Sequence, residues 1–201
     1  MKKILLLLAA LFLASTAFSQ IAAVGATGTG TFTNSPSLLI DGVIPPETTI
    51  WTAPSNVFWQ GTLPAFTIDL GADFKVTGVL WSVDNNDSYT LQTSTDNVTF
   101  TTLFTVQIAD GNIQPSPGGM DTMTSFAGSD FVANMAFSPV DARYLRVSAV
   151  DGDGLYSIGE VQAFGNPVVV SGAVPEPSTY GIMGVIALAG VALLRRRKTR
   201  A

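Results

Sequence analysis

Apolar and polar residues alternate with a period of two along several stretches of residues 20–174, and none of that region carries a convincing helical period. A strand patterned this way has one apolar face, and that face is stable only when packed against another layer. Phe66, Ile68 and Leu70 share one face, with Thr67 and Asp69 on the other; Val79, Trp81 and Val83 repeat the pattern. Tyr89, Leu91 and Thr93 alternate with Thr90 and Gln92, and Leu145 and Val147 with Tyr144 and Arg146. Thr95-Asp96-Asn97 supplies a turn between YTLQTS and VTFTTL, which predicts a hairpin. Residues 156–164 are less regular, because Val161 and Ala163 oppose Ile158 and Phe164. Residues 110–130 carry no pattern and predict a long loop. The expectation is an all-β sandwich or jelly roll. The roughly 155 residues of this region suffice to bury a core without disulfides or metal.

The chain has no cysteine and no histidine, which excludes a disulfide scaffold, a thiol nucleophile, Ser-His-Asp chemistry and His-ligated zinc. Within 20–174, Lys75, Arg143 and Arg146 face 14 Asp and Glu residues, a balance of 3 − 14 = −11. Such a domain repels phosphate backbones, so nucleic acid is not an expected partner. Neutral sugars or divalent cations suit it better, and solubility alone is the plainer reading. There is no G-x-S-x-G or S-x-x-K motif, and Gly25, Gly28 and Gly30 stand in the wrong order for a dinucleotide loop. The scattered acids single out no pair for glycoside hydrolysis. The expectation is a protein that binds rather than catalyses.

Both ends read as addresses. Lys2 and Lys3, the apolar run 4–13 and the small residues Ala17 and Ser19 predict a secretory signal peptide over residues 1–19. At the other end, a linker over 167–174 leads into Pro175-Glu176-Pro177, an uncharged and mostly apolar stretch over 180–194, and Arg195 to Arg197, Lys198 and Arg200. As a helix this stretch reaches about 22 Å, a short transmembrane span whose basic end stays cytoplasmic. Residues 175–201 resemble the PEP-CTERM sorting signal of bacterial envelope proteins. The resemblance implies recognition at Pro175, Glu176 and Pro177 by an exosortase-type enzyme in the inner membrane, and passage to the surface or extracellular polymer of a Gram-negative-type bacterium. A simple one-pass anchor is the alternative.

A second resemblance covers roughly residues 38–165. Its motifs are Asp69-Leu70-Gly71 beside a strand pair, the hairpin pattern of Tyr89, Gln92, Ser94, Asp96 and Phe100, Ala142-Arg143-Tyr144-Leu145-Arg146-Val147, and Ser157-Ile158-Gly159-Glu160. Upstream, Asp41-Gly42 and Thr49-Ile50-Trp51 belong to the same pattern, with a longer spacer between them. These are similar to the discoidin, or coagulation-factor type C, family. The resemblance implies a galactose-binding-like jelly roll over 20–166, binding of glycans or membrane headgroups, and a structural calcium held by Asp41, Thr49 and Glu160. Asp84 to Asp87 and Asp151 to Gly154 read as turns.

Sugar sites combine an aromatic platform with hydrogen-bonding side chains on loops. Trp59 lies outside the alternating stretches, Tyr156 follows a DGDG loop, and Asn85, Asn86 and Asp87 precede Tyr89. These five are the candidate ligand residues. Trp51 and Trp81 are expected in the core, and Arg143 and Arg146 are expected to pair with acids. The expected function is an exported, non-enzymatic module contacting polysaccharide; the alternative is a structural envelope or biofilm-matrix protein without a specific ligand.

Overall fold

In a computed structural model, which describes residues 19–169 except 109, 115 and 117, the alternating stretches at 66–70 and 79–83 belong to one strand, β5 (Ala65–Asp84). Gly71 lies between them at φ 85°, a conformation that strains any residue with a Cβ, and its N–H donates to Asp69 Oδ1 at 2.7 Å. The register with a neighbouring strand slips between Asp69 and Phe74, and past this point the strand takes a new partner on its other edge without ending.

The other strands are β1 (Gln20–Ile21), β2 (Gly25–Thr29), β3 (Phe32–Thr33), β4 (Val57–Gln60), β6 (Ser88–Ser94), β7 (Thr101–Val106), β8 (Met120–Thr124), β9 (Val140–Asp151) and β10 (Leu155–Pro167). The first part of β5 pairs with β2 and β9, and β9 continues to β6 and β7. The second part pairs with β8 and β10, and β10 continues to β4 and β3, with β1 also on β10. All these pairings are antiparallel, and β5 threads both layers, so the hydrogen bonding is continuous through the sandwich. The described helical structure is two short 3₁₀ turns, Pro36–Ile40 and Ala133–Met135.

Aromatic rings join the layers. Trp81 of β5 meets Phe104 of β7 with centroids 5.0 Å apart, and Trp59 of β4 meets Phe66 of β5 at 4.9 Å. Trp81, Val83, Leu91, Leu145 and Val147 are fully buried, as the alternation predicts for one face of each strand, and Ile158 is fully buried as well.

The motif residues have identifiable work. Arg146 donates to Gln92 Oε1 from Nε (2.9 Å) and Nη2 (2.7 Å), while its guanidinium lies 3.8 Å from the Phe100 ring centroid. Arg143 binds both carboxylate oxygens of Asp69, at 3.0 and 3.1 Å, and holds that carboxyl below its ordinary pKa. The expected acid partner therefore exists for Arg143, whereas Arg146 pairs with an amide and a ring. Asp96 Oδ1 accepts the Val98 and Thr99 N–H groups, both at 2.8 Å, with Asn97 at φ 60°, and thereby fixes the β6–β7 turn.

One expectation needs correction, and one irregularity has a structural cause. Part of the predicted loop 110–130 is β8, whose Met120 and Met123 fill the core and whose Asp121 is also buried. Unbranched Met side chains and a buried Asp give no alternation to read. The irregular β10 pattern arises because both faces are covered over 156–161. Ser157 Oγ donates to the Trp51 carbonyl (2.9 Å), and a Cβ on Gly159 would lie 2.3 Å from Pro45 Cγ, so the segment around 45–56 packs on its outer face.

Strands run from Gln20 to Pro167. The signal peptide, most of the linker and the tail with its apolar helix lie outside the described residues, apart from Ser19 and the first linker residues. Among the described residues no helix is long and apolar enough to cross a membrane.

Candidate functional site

The turn between β5 and β6, the β9–β10 loop, Thr48, Ile50 and Trp51, and Gly118-Gly119 meet at one end of the sandwich and line a cavity of about 530 Å³. Its walls carry Ile50, Trp51, Asp84, Asn86, Gly119 and Asp153. Ile50 is 64% exposed, and Trp51 is half-buried and rests edge-on against Phe58 at 5.4 Å. Asp84 Oδ1 accepts the Gly119 N–H (3.2 Å), and Asn86 Nδ2 donates to Asp153 Oδ2 (3.0 Å). Thr48, also on the rim, has φ 64°, an unfavourable conformation for a β-branched residue, and its N–H donates to the Met120 carbonyl at 2.8 Å. A strained backbone held by a strand marks a built loop. Trp51 also borders a second cavity of about 480 Å³, shared with Phe32, Phe58 and Gln60.

Carboxylates dominate the electrostatics here. Burial pushes Asp84 up to about 6, and the Asp153 charge adds to this. Burial pushes Asp87 up to about 7, reinforced by Asp84 and Asp153.

The structure redistributes the predicted ligand residues. Trp59 and Tyr156 are only 3% and 2% exposed. They pack on each other at 5.9 Å and on Tyr89 at 6.3 and 6.1 Å, away from the loop-end cavity; Trp59 borders the second cavity instead. Paired strands β4 and β10 place them opposite each other on the inner face. Asn85 is fully buried, and its Nδ2 donates to the Ile113 carbonyl at 2.7 Å. Asp87 is buried too: its Oδ1 accepts the Asp153 N–H at 3.1 Å, and a Cβ on Gly152 would strike that oxygen, so Asp87 pins the DGDG loop. Of the three polar candidates, Asn86 alone lines the cavity. The aromatic that lines the loop-end cavity is the half-buried Trp51, expected in the core. It sits in a turn rather than a strand, and the Pro54 and Asn56 around it were the available signal.

The three residues implied for calcium separate into two places. Asp41 and Glu160 line one cavity of about 180 Å³ beneath the first 3₁₀ turn; Thr49 does not line it. Thr49 Oγ1 donates to the Pro46 carbonyl (2.6 Å) and its own carbonyl accepts the Met120 N–H (2.9 Å). Glu160 is 1% exposed, and its Oε2 has no hydrogen-bond partner, while Oε1 accepts from Gln162 at 3.2 Å. Burial pushes this carboxyl up to about 7, and the Asp41 charge raises it further. An orphaned buried carboxylate oxygen beside a second carboxylate fits a hard, oxygen-seeking cation.

The profile of the F5/8 type C domain matches residues 15–161, and that of the PEP-CTERM protein-sorting motif matches residues 173–198. No curated protein matches the sequence. Among solved structures, the chain is similar to the CBM32 of AlyQ in complex with 4,5-unsaturated mannuronic acid, with 18% identity and a TM-score of 0.50 over 72% of this chain and 97% of that one. It is similar also to truncated AlyQ with CBM32 and alginate lyase domains, with 18% identity and a TM-score of 0.50 over 80% of this chain and 36% of that one. At this identity the likeness establishes the β-sandwich fold.

Proposed function

Because the chain belongs to the F5/8 type C domain family and carries a PEP-CTERM protein-sorting motif, we propose that it is an exported, surface-associated carbohydrate-binding module. The observation that carries this reading is the loop-end cavity, where Trp51 and Ile50 offer apolar surface beside Asp84, Asn86 and Asp153. A ring stacked on a sugar buries its C–H face, and the amide and carboxylates take up hydroxyl hydrogen bonds that water would otherwise hold. An aromatic wall beside a few hydrogen-bonding side chains is the arrangement that recognises a sugar.

One shallow site binds weakly, about 10⁻⁴ M or −5.5 kcal/mol, and repeated epitopes on a polysaccharide raise this through avidity. On a glycan array probed with the multimerised full chain, Trp51→Ala lowers binding severalfold while the melting temperature moves by only a few degrees. Undiminished binding by this variant would remove Trp51 from the site; silence across the array and against the host's own exopolysaccharide would favour a purely structural envelope role.

Calcium belongs to this reading as a structural ion. Asp41 and Glu160 would hold it, with Gln162 and backbone carbonyls near them, and its charge would offset two carboxylates in one cavity. Thr49 would join only after moving from Pro46.

Sorting completes the proposal. In a Gram-negative-type host the exosortase-type enzyme reads Pro175, Glu176 and Pro177 while the apolar tail lies in the inner membrane. Mass spectrometry of the surface form should find a chain beginning near Gln20 and lacking the residues after about Pro177. Replacing the three motif residues with alanine should leave the protein in the inner-membrane fraction. An intact Arg-rich tail on the surface form would instead make the segment a simple anchor.

A further inference from the structure

The loop-end cavity has a charge imbalance that constrains what it accepts. Asp84 and Asp153 line it, and the buried Asp87 stands behind them, bonded to the Asp153 N–H. The three basic side chains among the described residues are all engaged elsewhere. Lys75 pairs with Asp141 at 2.6 Å, Arg143 with Asp69, and Arg146 with Gln92 and Phe100. Among the described residues, no cation therefore neutralises this end of the sandwich. Among the described residues, no three acidic side chains converge closely enough to hold a metal ion. What remains is a negatively charged cavity with an aromatic and an aliphatic wall, suited to an organic cation that brings its own ring.

We propose that this cavity selects an amino-sugar unit with a free ammonium group, the ring lying against Trp51 and Ile50 and the ammonium facing Asp84 and Asp153, over N-acetylated, neutral and uronic sugars. The inference rests on the carbohydrate-binding reading and adds the ligand's charge. An ammonium supplies the counter-charge that the described residues do not, and a desolvated pair of opposite charges is worth more here than in open water. A uronate carboxylate would meet like charges, and an N-acetyl group removes the cation while keeping the ring. Asn86 lines the cavity too, and its Nδ2 donates to Asp153 Oδ2 at 3.0 Å, which holds that carboxylate in place. The Asp84 to Gly119 hydrogen bond fixes one carboxylate, so little ordering is left for the ligand to supply.

The test uses the full chain and three tetrasaccharides by calorimetry: β-1,4-linked glucosamine, its fully N-acetylated form, and oligomannuronate. The expected order is glucosamine tightest, at least tenfold over the N-acetylated form, with mannuronate undetectable and the preference shrinking as salt rises from 50 to 300 mM. Asp153→Asn and Asp84→Asn should each reduce the preference for glucosamine over its N-acetylated form severalfold. Asp73→Asn makes the same charge change at an exposed position away from the cavity and should leave the preference intact. Both cavity variants keep an oxygen for the existing backbone contacts, and melting curves check that they fold. Equal binding of the amine and its acetylated form, tighter mannuronate, or equal loss with Asp73→Asn would overturn the charge selection while leaving carbohydrate binding in place. No binding of any saccharide, here or on the array, would overturn both.

Discussion

Trp59→Ala should lower the melting temperature by roughly 10–15 °C, the largest single-residue effect expected in this molecule. The ring is 3% exposed and touches Phe66, Tyr89 and Tyr156, so the truncation leaves a cavity bounded by three other rings and both layers. Removing a buried Trp costs about 3–5 kcal/mol, a large share of the ~5–15 kcal/mol that holds a domain of this kind together. Trp51→Ala, at a half-buried position on the cavity wall, should cost about 1 kcal/mol. Calorimetric melting of the two variants separates the roles: the Trp59 variant loses stability, the Trp51 variant loses binding. A Trp59 variant that melts like the parent but no longer binds glycan would return that ring to the site and contradict the packing.

Without added metal, the domain should be more stable at pH 5 than at pH 8. The sign follows from three buried carboxylates. Asp84 is raised to about 6, and Asp87 and Glu160 to about 7, in each case chiefly by burial. In the unfolded chain these groups titrate near pH 4. Between about pH 4 and 7 the folded state binds more protons than the unfolded state, so stability falls as pH rises through that window. Asp69 and Asp96 are lowered, by Arg143 and by the Thr99 and Val98 N–H groups respectively, and their contribution is lost only in more acidic solution. After allowance for local relaxation, the raised groups together amount to roughly 3–5 kcal/mol, on the order of 10 °C in Tm between pH 5 and 8.

If Asp41 and Glu160 hold calcium, adding it at pH 8 recovers part of this loss, about 2.7 kcal/mol at a hundredfold excess over Kd. Glu160→Gln should raise the metal-free melting temperature at pH 8 and abolish the calcium response. Melting temperatures in chelator that rise from pH 5 to pH 8 would contradict the electrostatic account. Coincident curves with calcium and with chelator at pH 8 would remove the ion from it.

The sequence by itself determined the β-sandwich class, the β6–β7 hairpin and the PEP-CTERM sorting motif, because alternation, turn chemistry and segment polarity are local properties that survive in any tertiary setting. It also marked Asp69, Gln92, Asp96, Arg143 and Arg146, whose partners lie close along the chain or directly across paired strands. Only the tertiary structure decided which tryptophan is buried. Trp59 and Trp51 are eight residues apart in similar company, but Trp59 stands on the inner face of β4 opposite Tyr156, while Trp51 lies in a turn packed over the outer face of β10. It likewise decided that β5 is one strand through two layers, a consequence of the positive φ at Gly71 and the slipped pairing that follows. The acidic cavity could not be read in sequence either. Asp84 and Asp153 are 69 positions apart, and they meet because β9 and β10 return the chain beside the end of β5. Burial and charge proximity depend on which strands pair, and pairing over such separations is set by the whole sandwich rather than by any one segment.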